Sequence, residues 1–369
     1  MSLGVVVPPI ALRTSPFAHY NVAWSPFHAH LLALASSANY GLIGNGRAHL
    51  CSLSGAPAPI VPAAGADGRE LRLDKFYKTQ DGLYDLAWSE IHENQLVTAS
   101  GDGSLKLWDI MLNDLPIRAW HEHSREAFSV DWSNIDKTIF ASSSWDGLVK
   151  IWTTERPTSI QTIAAHQSCV YQAMFSPHTP NIIASCSTDG SIKIFDLRTA
   201  GSGPLPPQSS IPSAVPPAPP PGSSVPSIVI PAHPAAEILS IDWNKYRPWV
   251  LVSGSTDKMI KVWDARNVKP VANGPQVGGN CEISLHGHEY AVRKVQWSPH
   301  RADLIASAGY DMTCRVWSTT PNGAHPPLRT IHDKHTEFVT GCAWSLYEEG
   351  LLASCSWDHS VHLFRPYNV

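Results

Sequence analysis

Residues 132–152 read WSNIDKTIFASSSWDGLVKIW, and the spacing of their aromatic and acidic side chains decides the fold. Trp132 is followed 14 positions later by Asp146, and Trp152 comes 6 positions after that. The same intervals recur elsewhere, although the distances between the copies vary. The copies are Trp88–Asp102–Trp108, Trp132–Asp146–Trp152, Phe175–Asp189–Phe195, Trp243–Asp257–Trp263, Trp297–Asp311–Trp317 and Trp344–Asp358–Phe364. Rigid units joined by connections of variable length indicate a repeat architecture.

Two further residue types keep the same register. A hydroxyl stands four positions before each Asp, and a His precedes the Asp by 23 positions in four copies and by 24 in a fifth. These residues are Thr98, Ser142, Ser185, Ser253, Ser307 and Ser354, and His123, His166, His233, His288 and His335. A half-buried Asp and His need partners, so we expect one hydrogen-bonded chain of Asp, His, Ser or Thr and Trp in each copy. Asp, His and Ser also form hydrolase triads, but a trio that recurs five times is expected to be structural.

An imperfect copy precedes the six. Trp24 opens it, Asn45-Gly46 replaces the Asp-Gly turn after an insertion of seven residues, and Cys51 stands at the final aromatic position. A repeat of this length with a Trp-Asp ending is typical of WD-repeat blades. The sequence therefore predicts an all-β fold, a seven-bladed WD-repeat β-propeller that forms one domain over residues 1–369.

The last copy is short of one strand. The chain stops soon after Phe364, in the third strand of the last blade. We expect the N-terminal segment near Ile10–Thr14 to supply the fourth strand, because this closure removes the open sheet edges that promote aggregation.

The composition excludes several classes of function. The net charge is −4, which provides no positive field for binding nucleic acid. Seven Cys without a CxxC pair indicate reduced thiols rather than disulfides or zinc, and the pair His121 and His123 is not expected to bind a metal. We expect no membrane insertion, because no signal peptide or long apolar run occurs. No Walker loop, HExxH or GxSxG motif is present, so we predict no cofactor and no enzymatic activity.

Two stretches depart from the blade pattern. Residues 199–227 are rich in Pro, Ser and Ala, a composition that cannot form a β-ladder or bury a core. We predict a disordered loop between blades 4 and 5, either an inert spacer or a polyproline ligand carried by Pro216–Pro221. Residues Gly55–Gly68, rich in Ala and Pro, are expected to form a long loop in blade 1.

A function could lie on the face that carries the Asp turns. Aromatic residues precede three of the Asp turns, others stand four positions before the aromatic of the first strand, and acids are close to them in sequence. The candidate binding residues are the aromatics Tyr84, Phe128, Trp145, Tyr171, Tyr310 and Trp357 and the acids Asp81, Glu126 and Glu237. Aromatics interleaved with acids suit an amphipathic basic helix. The alternative is a scattered, solvated surface.

Several longer stretches carry a family resemblance. They are SANYGLIGNGR (37–47), DGLYDLAWSE (81–90), IVIPAHPAAEILSIDWNKY (228–246), GHEYAVRKVQWSP (287–299), HTEFVTGCAWS (335–345) and SCSWD (354–358). With them the chain resembles, over nearly its full length, the receptors for the type-2 peroxisomal targeting signal, a WD-repeat family among the peroxins. The insertion at Ser37–Gly46 is similar to the family, whereas the Pro-rich stretch and the long loop in blade 1 depart from it.

The resemblance implies a function and a set of partners. It implies a receptor shared between the cytoplasm and the peroxisome that binds the N-terminal helical signal of cargo proteins such as thiolase. The signal has a leading Arg or Lys, an aliphatic residue, a gap of five residues, then His or Gln and Leu or Ala. Glu126 matches an acidic family position implicated in meeting the basic residue, and Glu237 has the equivalent offset two blades on. A co-receptor that closes over the cargo and docking peroxins at the membrane are implied as well.

Two other classes remain open at this point. Trp263-Asp264-Ala265-Arg266 is similar to the WDxR box of substrate receptors for cullin-RING ubiquitin ligases, although the blade itself already requires the Trp-Asp pair. A general WD-repeat scaffold or histone-tail reader could use the same acidic face. The identity of the protein that co-purifies with the chain would separate the three classes.

Overall fold

The computed structural model describes residues 8–41, 44–55, 68–199, 225–271, 274–320 and 327–366. In these residues 28 β-strands and one 3-10 helix (Asn39–Gly41) form seven four-stranded blades. Blade 1 comprises β2 (Phe17–Trp24), β3 (Leu31–Ala38), β4 (Gly46–Ser54) and β5 (Glu70–Thr79), and blade 2 comprises β6 (Leu83–Trp88), β7 (Gln95–Ser100), β8 (Ser104–Asp109) and β9 (Arg118–His121). Blade 3 comprises β10 (Ala127–Trp132), β11 (Ile139–Ser144), β12 (Leu148–Thr153) and β13 (Gln161–Ala164). Blade 4 comprises β14 (Val170–Phe175), β15 (Ile182–Ser187), β16 (Ile192–Asp196) and β17 (Ile228–Ile230). Blade 5 comprises β18 (Ile238–Trp243), β19 (Val250–Ser255), β20 (Ile260–Lys269) and β21 (Gln276–Leu285). Blade 6 comprises β22 (Val292–Trp297), β23 (Leu304–Gly309), β24 (Cys314–Ser318) and β25 (Leu328–His332). Blade 7 comprises β26 (Val339–Trp344), β27 (Leu352–Ser356), β28 (Ser360–Phe364) and β1 (Ile10–Arg13).

The N-terminal strand completes the last blade. β1 pairs antiparallel with β28, with Ile10 opposite Leu363. Blades 1 and 7 are also bonded directly to each other. The Trp24 indole donates a hydrogen bond to the Ala343 carbonyl at 3.1 Å, and the Thr340 hydroxyl donates one to the His19 carbonyl at 2.7 Å. Both the seven-bladed propeller and its closure by the N-terminal segment are therefore confirmed.

Apolar side chains of the alternating strands pack between neighbouring blades. Between blades 2 and 3, Leu107 and Trp120 belong to one buried cluster with Val130 and Trp132. Each sheet therefore buries both of its faces against its neighbours, which is why the strands contain so few exposed apolar residues.

The predicted hydrogen-bonded chain is present and is structural. In blade 3 the Trp152 indole donates to Ser142 Oγ at 2.8 Å, Ser142 lies 2.7 Å from His123 Nε2, and His123 Nδ1 lies 2.9 Å from Asp146. Because a carboxylate only accepts, Nδ1 carries the proton and Nε2 accepts from the serine. Blades 4 to 7 repeat the His–Asp and His–Ser bonds, with Phe replacing the last Trp in blades 4 and 7.

The position of the Pro-rich stretch differs from the prediction. β17 pairs antiparallel with β16, with Ile230 opposite Ile192, so the stretch connects the third and fourth strands of blade 4. Placing it between blades 4 and 5 was wrong, because the fourth strand of a blade belongs in sequence to the following repeat. Disorder was predicted for residues 199–227; of these, residues 200–224 lie outside the described residues, as do residues 56–67 of the long loop in blade 1.

The outer strands of blades 4 and 5 join in a way that the sequence did not indicate. β17 and β21 pair in parallel, with Ile228 opposite Gln276, so the two blades form one eight-stranded sheet. This pairing covers two edges that a propeller otherwise leaves open. Among the described residues no helix is long and apolar enough to cross a membrane.

Candidate functional site

The strand registers place the Asp turns and the start of each inner strand on the same face. In blade 2, Leu83 at the start of β6 lies opposite Ser100, which precedes the turn, and Trp88 at its end lies opposite Leu96. We call the face with the Asp turns the upper face and the opposite one the lower face. Inner strands that begin at the upper face bring their first side chains to the mouth of the central channel.

A continuous set of aromatic rings surrounds this mouth. Phe128 contacts the rings of Tyr84 at 4.9 Å, Tyr171 at 5.1 Å and Trp145 at 5.1 Å between centroids. The chain of contacts continues through Tyr20 to Trp357 and then through Phe338 to Tyr310, with centroid distances of 4.8 to 5.6 Å. We call this set the aromatic arc; its members are Tyr310, Phe338, Trp357, Tyr20, Tyr84, Phe128, Trp145 and Tyr171. All six aromatics that the sequence singled out belong to it.

Two tryptophans of the arc differ from most of those in the core. Among the described residues, the buried indole nitrogens of Trp145 and Trp357 have no hydrogen-bond partner, a condition they share with the core residue Trp297. The Trp108 and Trp152 indoles, in contrast, each donate to a Thr or Ser hydroxyl. A buried N–H without a partner is costly, and Trp side chains usually find one. The arc therefore carries donors that the folded chain leaves unused.

The three predicted acids lie beside the arc. Glu237 accepts a hydrogen bond from the Tyr171 hydroxyl at 3.3 Å. Burial raises the pKa of Tyr84, and the negative charges of Asp81 and Glu126 raise it further, which places both carboxylates near that ring. Burial and then the charge of Glu237 raise the pKa of Tyr171 in the same way.

Basic groups modify this acidic pattern. Arg125 lies 3.6 Å from Glu126 and 5.8 Å from the Trp145 ring, so Glu126 already has a partly exposed ion-pair partner. Arg293 is only 7% exposed, and its guanidinium lies 4.9 Å from the Phe128 ring at the channel mouth. The centre of the mouth is therefore positive, and the free negative charge lies on the rim.

The candidate residues named from the sequence leave out three members of the site, Tyr20, Phe338 and Tyr40. Phe338 bridges Tyr310 and Trp357 within the arc. Tyr40 lies in the insertion of the first blade with a positive φ of 55° and contacts Trp357 at 5.5 Å, while its carbonyl accepts from the Tyr20 hydroxyl at 2.7 Å. The insertion itself was visible in the sequence and was the available signal for Tyr40.

Comparisons with known proteins agree with this architecture. The family model "WD domain, G-beta repeat" matches residues 72–109, 115–153, 157–196, 224–264, 279–318 and 326–365. Each matched repeat begins within or shortly before the outer strand of one blade and continues into the next, which accounts for the misplaced Pro-rich stretch.

Similar full-length proteins are known from fungi, plants and animals. The peroxisomal targeting signal 2 receptor of Saccharomyces cerevisiae is 34% identical over 398 residues, covering 95% of this chain and 97% of that protein. Peroxisome biogenesis protein 7 of Arabidopsis thaliana is 40% identical over 354 residues, covering 95% and 96%. The human peroxisomal targeting signal 2 receptor is 36% identical over 335 residues, covering 89% and 87%. The yeast and human relatives are named as receptors, which confirms the prediction of a non-enzymatic protein. The chain belongs to the family of WD-repeat receptors for the type-2 peroxisomal targeting signal.

Proposed function

We propose that the chain binds the helical type-2 targeting signal of cargo proteins on its upper face. The observation that carries this proposal is the aromatic arc with two unused indole donors and carboxylates along its rim. Such a surface suits a helix that is apolar on one side and cationic on another. The names of the relatives support the same ligand class.

The charges indicate how the helix lies on the face. A cationic residue is repelled from the channel mouth by Arg293 and attracted to Glu126 or Glu237 on the rim. The two conserved ends of the signal are about two helical turns apart and fall near one face of a helix. The apolar side chains of that face would then rest on the rings of the aromatic arc.

The remaining steps of import rest on the family alone. In this proposal the chain binds cargo such as thiolase in the cytoplasm, a co-receptor peroxin closes over the cargo helix, and docking peroxins receive the complex at the peroxisome. The receptor then shuttles between the cytoplasm and the peroxisome. We assign the co-receptor no contact in the structure.

Titration of a labelled cargo-signal peptide tests the rim carboxylates. Glu126→Lys should abolish binding and Glu237→Lys should weaken it, because placing like charges at an interfacial pair costs about 2 to 5 kcal/mol. Glu93→Lys, at an exposed position in a loop of the lower face, serves as the matched control. Unchanged affinity in both rim variants would place the basic residue elsewhere.

A charge swap separates direct contact from misfolding. A peptide whose leading Arg is replaced by Glu should bind poorly to the wild type and recover affinity for Glu126→Lys if Glu126 meets that residue. Recovery by Glu237→Lys alone would assign the contact with the leading residue of the signal to Glu237. No recovery by either variant would contradict the proposed charge pairing.

Alanine variants of Trp145, Tyr310 and Trp357 test the aromatic arc. Buried aromatics at interfaces are frequent hot spots, at roughly 2 kcal/mol or more on truncation. Each variant should lower formation of the complex with cargo and co-receptor more than it lowers thermal stability. Variants that melt at lower temperature but bind normally would show that these rings serve the core.

The structure around the WDxR-like motif does not support the alternative of a substrate receptor for a ubiquitin ligase. Arg266 donates two hydrogen bonds to Asp264 through Nε at 2.9 Å and Nη2 at 2.6 Å, so the motif is satisfied within its own strand. Arg198 and Asp196 form the same pair in blade 4. The repetition of the pair favours a structural role.

A further inference from the structure

A cavity of about 220 Å³ opens in the channel towards the lower face. Its lining combines polar and charged groups with apolar side chains, among them Trp24, Trp88, Trp132, Met174 and Leu346. A space of this size holds several waters or one long side chain. It is far larger than the water-sized pocket of about 10 Å³ at the upper mouth.

The charged groups that line this lower cavity are predominantly acidic. They are Glu90, Asp85 and Asp131, with Lys294 as the single cation among the lining residues. Asp85 accepts from the Val130 amide at 3.0 Å and Asp131 from the Phe175 amide at 2.8 Å, which ties neighbouring blades together.

Glu90 has no such structural partner. Within the described part of the chain, its carboxylate makes no hydrogen bond or ion pair, and burial raises its pKa. Burial also raises the pKa of Asp131 to about 7. Glu90 is thus the acid of the cavity that no hydrogen bond or ion pair of the described residues satisfies, although the positive charge of Lys137 also acts on it. Partial burial strengthens the attraction of this carboxylate for a further cation.

The third residue after the aromatic that ends each inner strand occupies an equivalent position beside the cavity in every blade. The side chains at this position supply an independent observation. In blades 4 to 7 its side chain bonds to a backbone carbonyl of the next blade. The pairs are His178 to Asn244 at 2.8 Å, Tyr246 to Pro299 at 2.7 Å, His300 to Ser345 at 3.0 Å and Tyr347 to Pro26. At four of seven blades this position therefore ties the ring together.

In blades 1 to 3 the same position is apolar and exposed. Phe27, Ile91 and Ile135 are 40%, 48% and 40% exposed. The amides of Phe27 and Ile91 each donate to the serine two residues before, both at 3.2 Å, so the loops present these side chains in a fixed geometry. We call these three residues the apolar arc. All three acids of the cavity belong to these blades, with Asp85 and Glu90 in blade 2 and Asp131 in blade 3.

We propose that the lower cavity and the apolar arc form a second binding site, for a partner segment that inserts an Arg or Lys side chain beside Glu90 and lays adjacent apolar residues on Phe27, Ile91 and Ile135. The stretches of this chain outside the described residues contain no Lys or Arg. They cannot supply the cation, so the occupant is another polypeptide. A preformed apolar surface around a desolvated carboxylate loses little entropy on binding.

Selection from a library of random twelve-residue peptides displayed on phage tests the site on the full chain. Wild-type protein is used for capture and Glu90→Lys for counter-selection. Enriched peptides should contain an Arg or Lys next to apolar residues. Their affinity should fall at least tenfold in Glu90→Lys and in Ile91→Asp, the second at a position that is 48% exposed.

Two controls make the result decisive. Glu93→Lys changes the same charge in the same loop at an exposed position and should leave the affinity of the selected peptides unchanged. Binding of cargo-signal peptide should stay intact in Glu90→Lys, which separates this site from the upper face. The proposal is overturned if no peptide survives counter-selection, if the survivors lack a basic residue, or if Ile91→Asp abolishes a concentration-dependent dimer of the wild type.

Discussion

Four buried histidines should make the propeller unstable in mild acid. Burial lowers the pKa of His19 to about 3, of His49 to about 2, of His332 to about 3 and of His362 to about 4. His19 and His49 share the Ser36 hydroxyl at 2.8 and 3.0 Å, and His332 lies 3.0 Å from His362 through ring nitrogens. In each case burial disfavours the charged ring, which is why the neutral form is retained.

The sign and size of the effect follow from linkage. A histidine whose pKa is lowered in the folded state binds its proton preferentially when the chain is unfolded. Its contribution to stability is complete above the unfolded pKa of about 6.5 and is lost as the pH falls from there towards the folded pKa. At pH 5.5 each such histidine lowers the free energy of unfolding by about 1.4 kcal/mol, and the four together lower it by roughly 6 kcal/mol. Because domains are stable by only about 5 to 15 kcal/mol, this is a large part of the total.

Urea denaturation at a series of pH values measures the effect. The free energy of unfolding should fall by several kcal/mol between pH 7 and pH 5. In His49→Gln and His362→Gln the slope between pH 6 and 5 should be lower by about 1.2 kcal/mol per pH unit, whatever the stability at neutral pH. His286→Gln, at an exposed position, is the control. A free energy of unfolding that stays constant from pH 7 to pH 5 would refute the reasoning.

Three further outcomes are expected. Ser142→Ala should lower the free energy of unfolding by about 2 to 4 kcal/mol in urea titration, since it leaves both the Trp152 indole and the His123 ring without their shared partner. Maleimide labelling of the native chain, read by mass spectrometry, should modify Cys281 first, because it is exposed and five of the other thiols are buried. Deletion of residues 202–224 should leave stability and cargo-peptide affinity nearly unchanged, because the free energy of loop closure changes by only about 0.6 kcal/mol per doubling of loop length. Intact cargo binding with lost import would show that a partner docks on the proline run.

The sequence specified the fold because the requirements of a blade are local. The intervals from Trp132 to Asp146 and Trp152 reflect two hairpin turns and one hydrogen-bonded chain, and all of them fit within one repeat. Closure of the ring by the N-terminal strand could be predicted as well, because a repeat without its fourth strand leaves an edge that must be covered. The pairing of β17 with β21 could not, since it depends on where two irregular outer strands come to lie.

The candidate site was predictable by position and not by charge. Register alone brought Tyr84, Phe128 and Tyr171 to one mouth, because equivalent residues of every blade share a height along the channel. The net charge of that mouth depends on the directions in which its long side chains point. The sequence does not show that the Arg293 guanidinium folds over Phe128 or that Arg125 turns towards Glu126.

Repetition offers a general way to separate structural from functional residues in this chain. A blade needs the same support at each equivalent position, so a structural side chain should recur with the same bond. The hydroxyls under the core tryptophans and the lower-face bonds of His178 and Tyr246 behave in this way. Trp145 and Ile91 do not: among the described residues the Trp145 indole has no hydrogen-bond partner, and Ile91 stands at the position of His178 and Tyr246 but cannot make their bond to the next blade. These two departures from the repeat lie on opposite faces. Under the two proposals made above, the receptor would hold cargo on the upper face while its lower face engages a second partner.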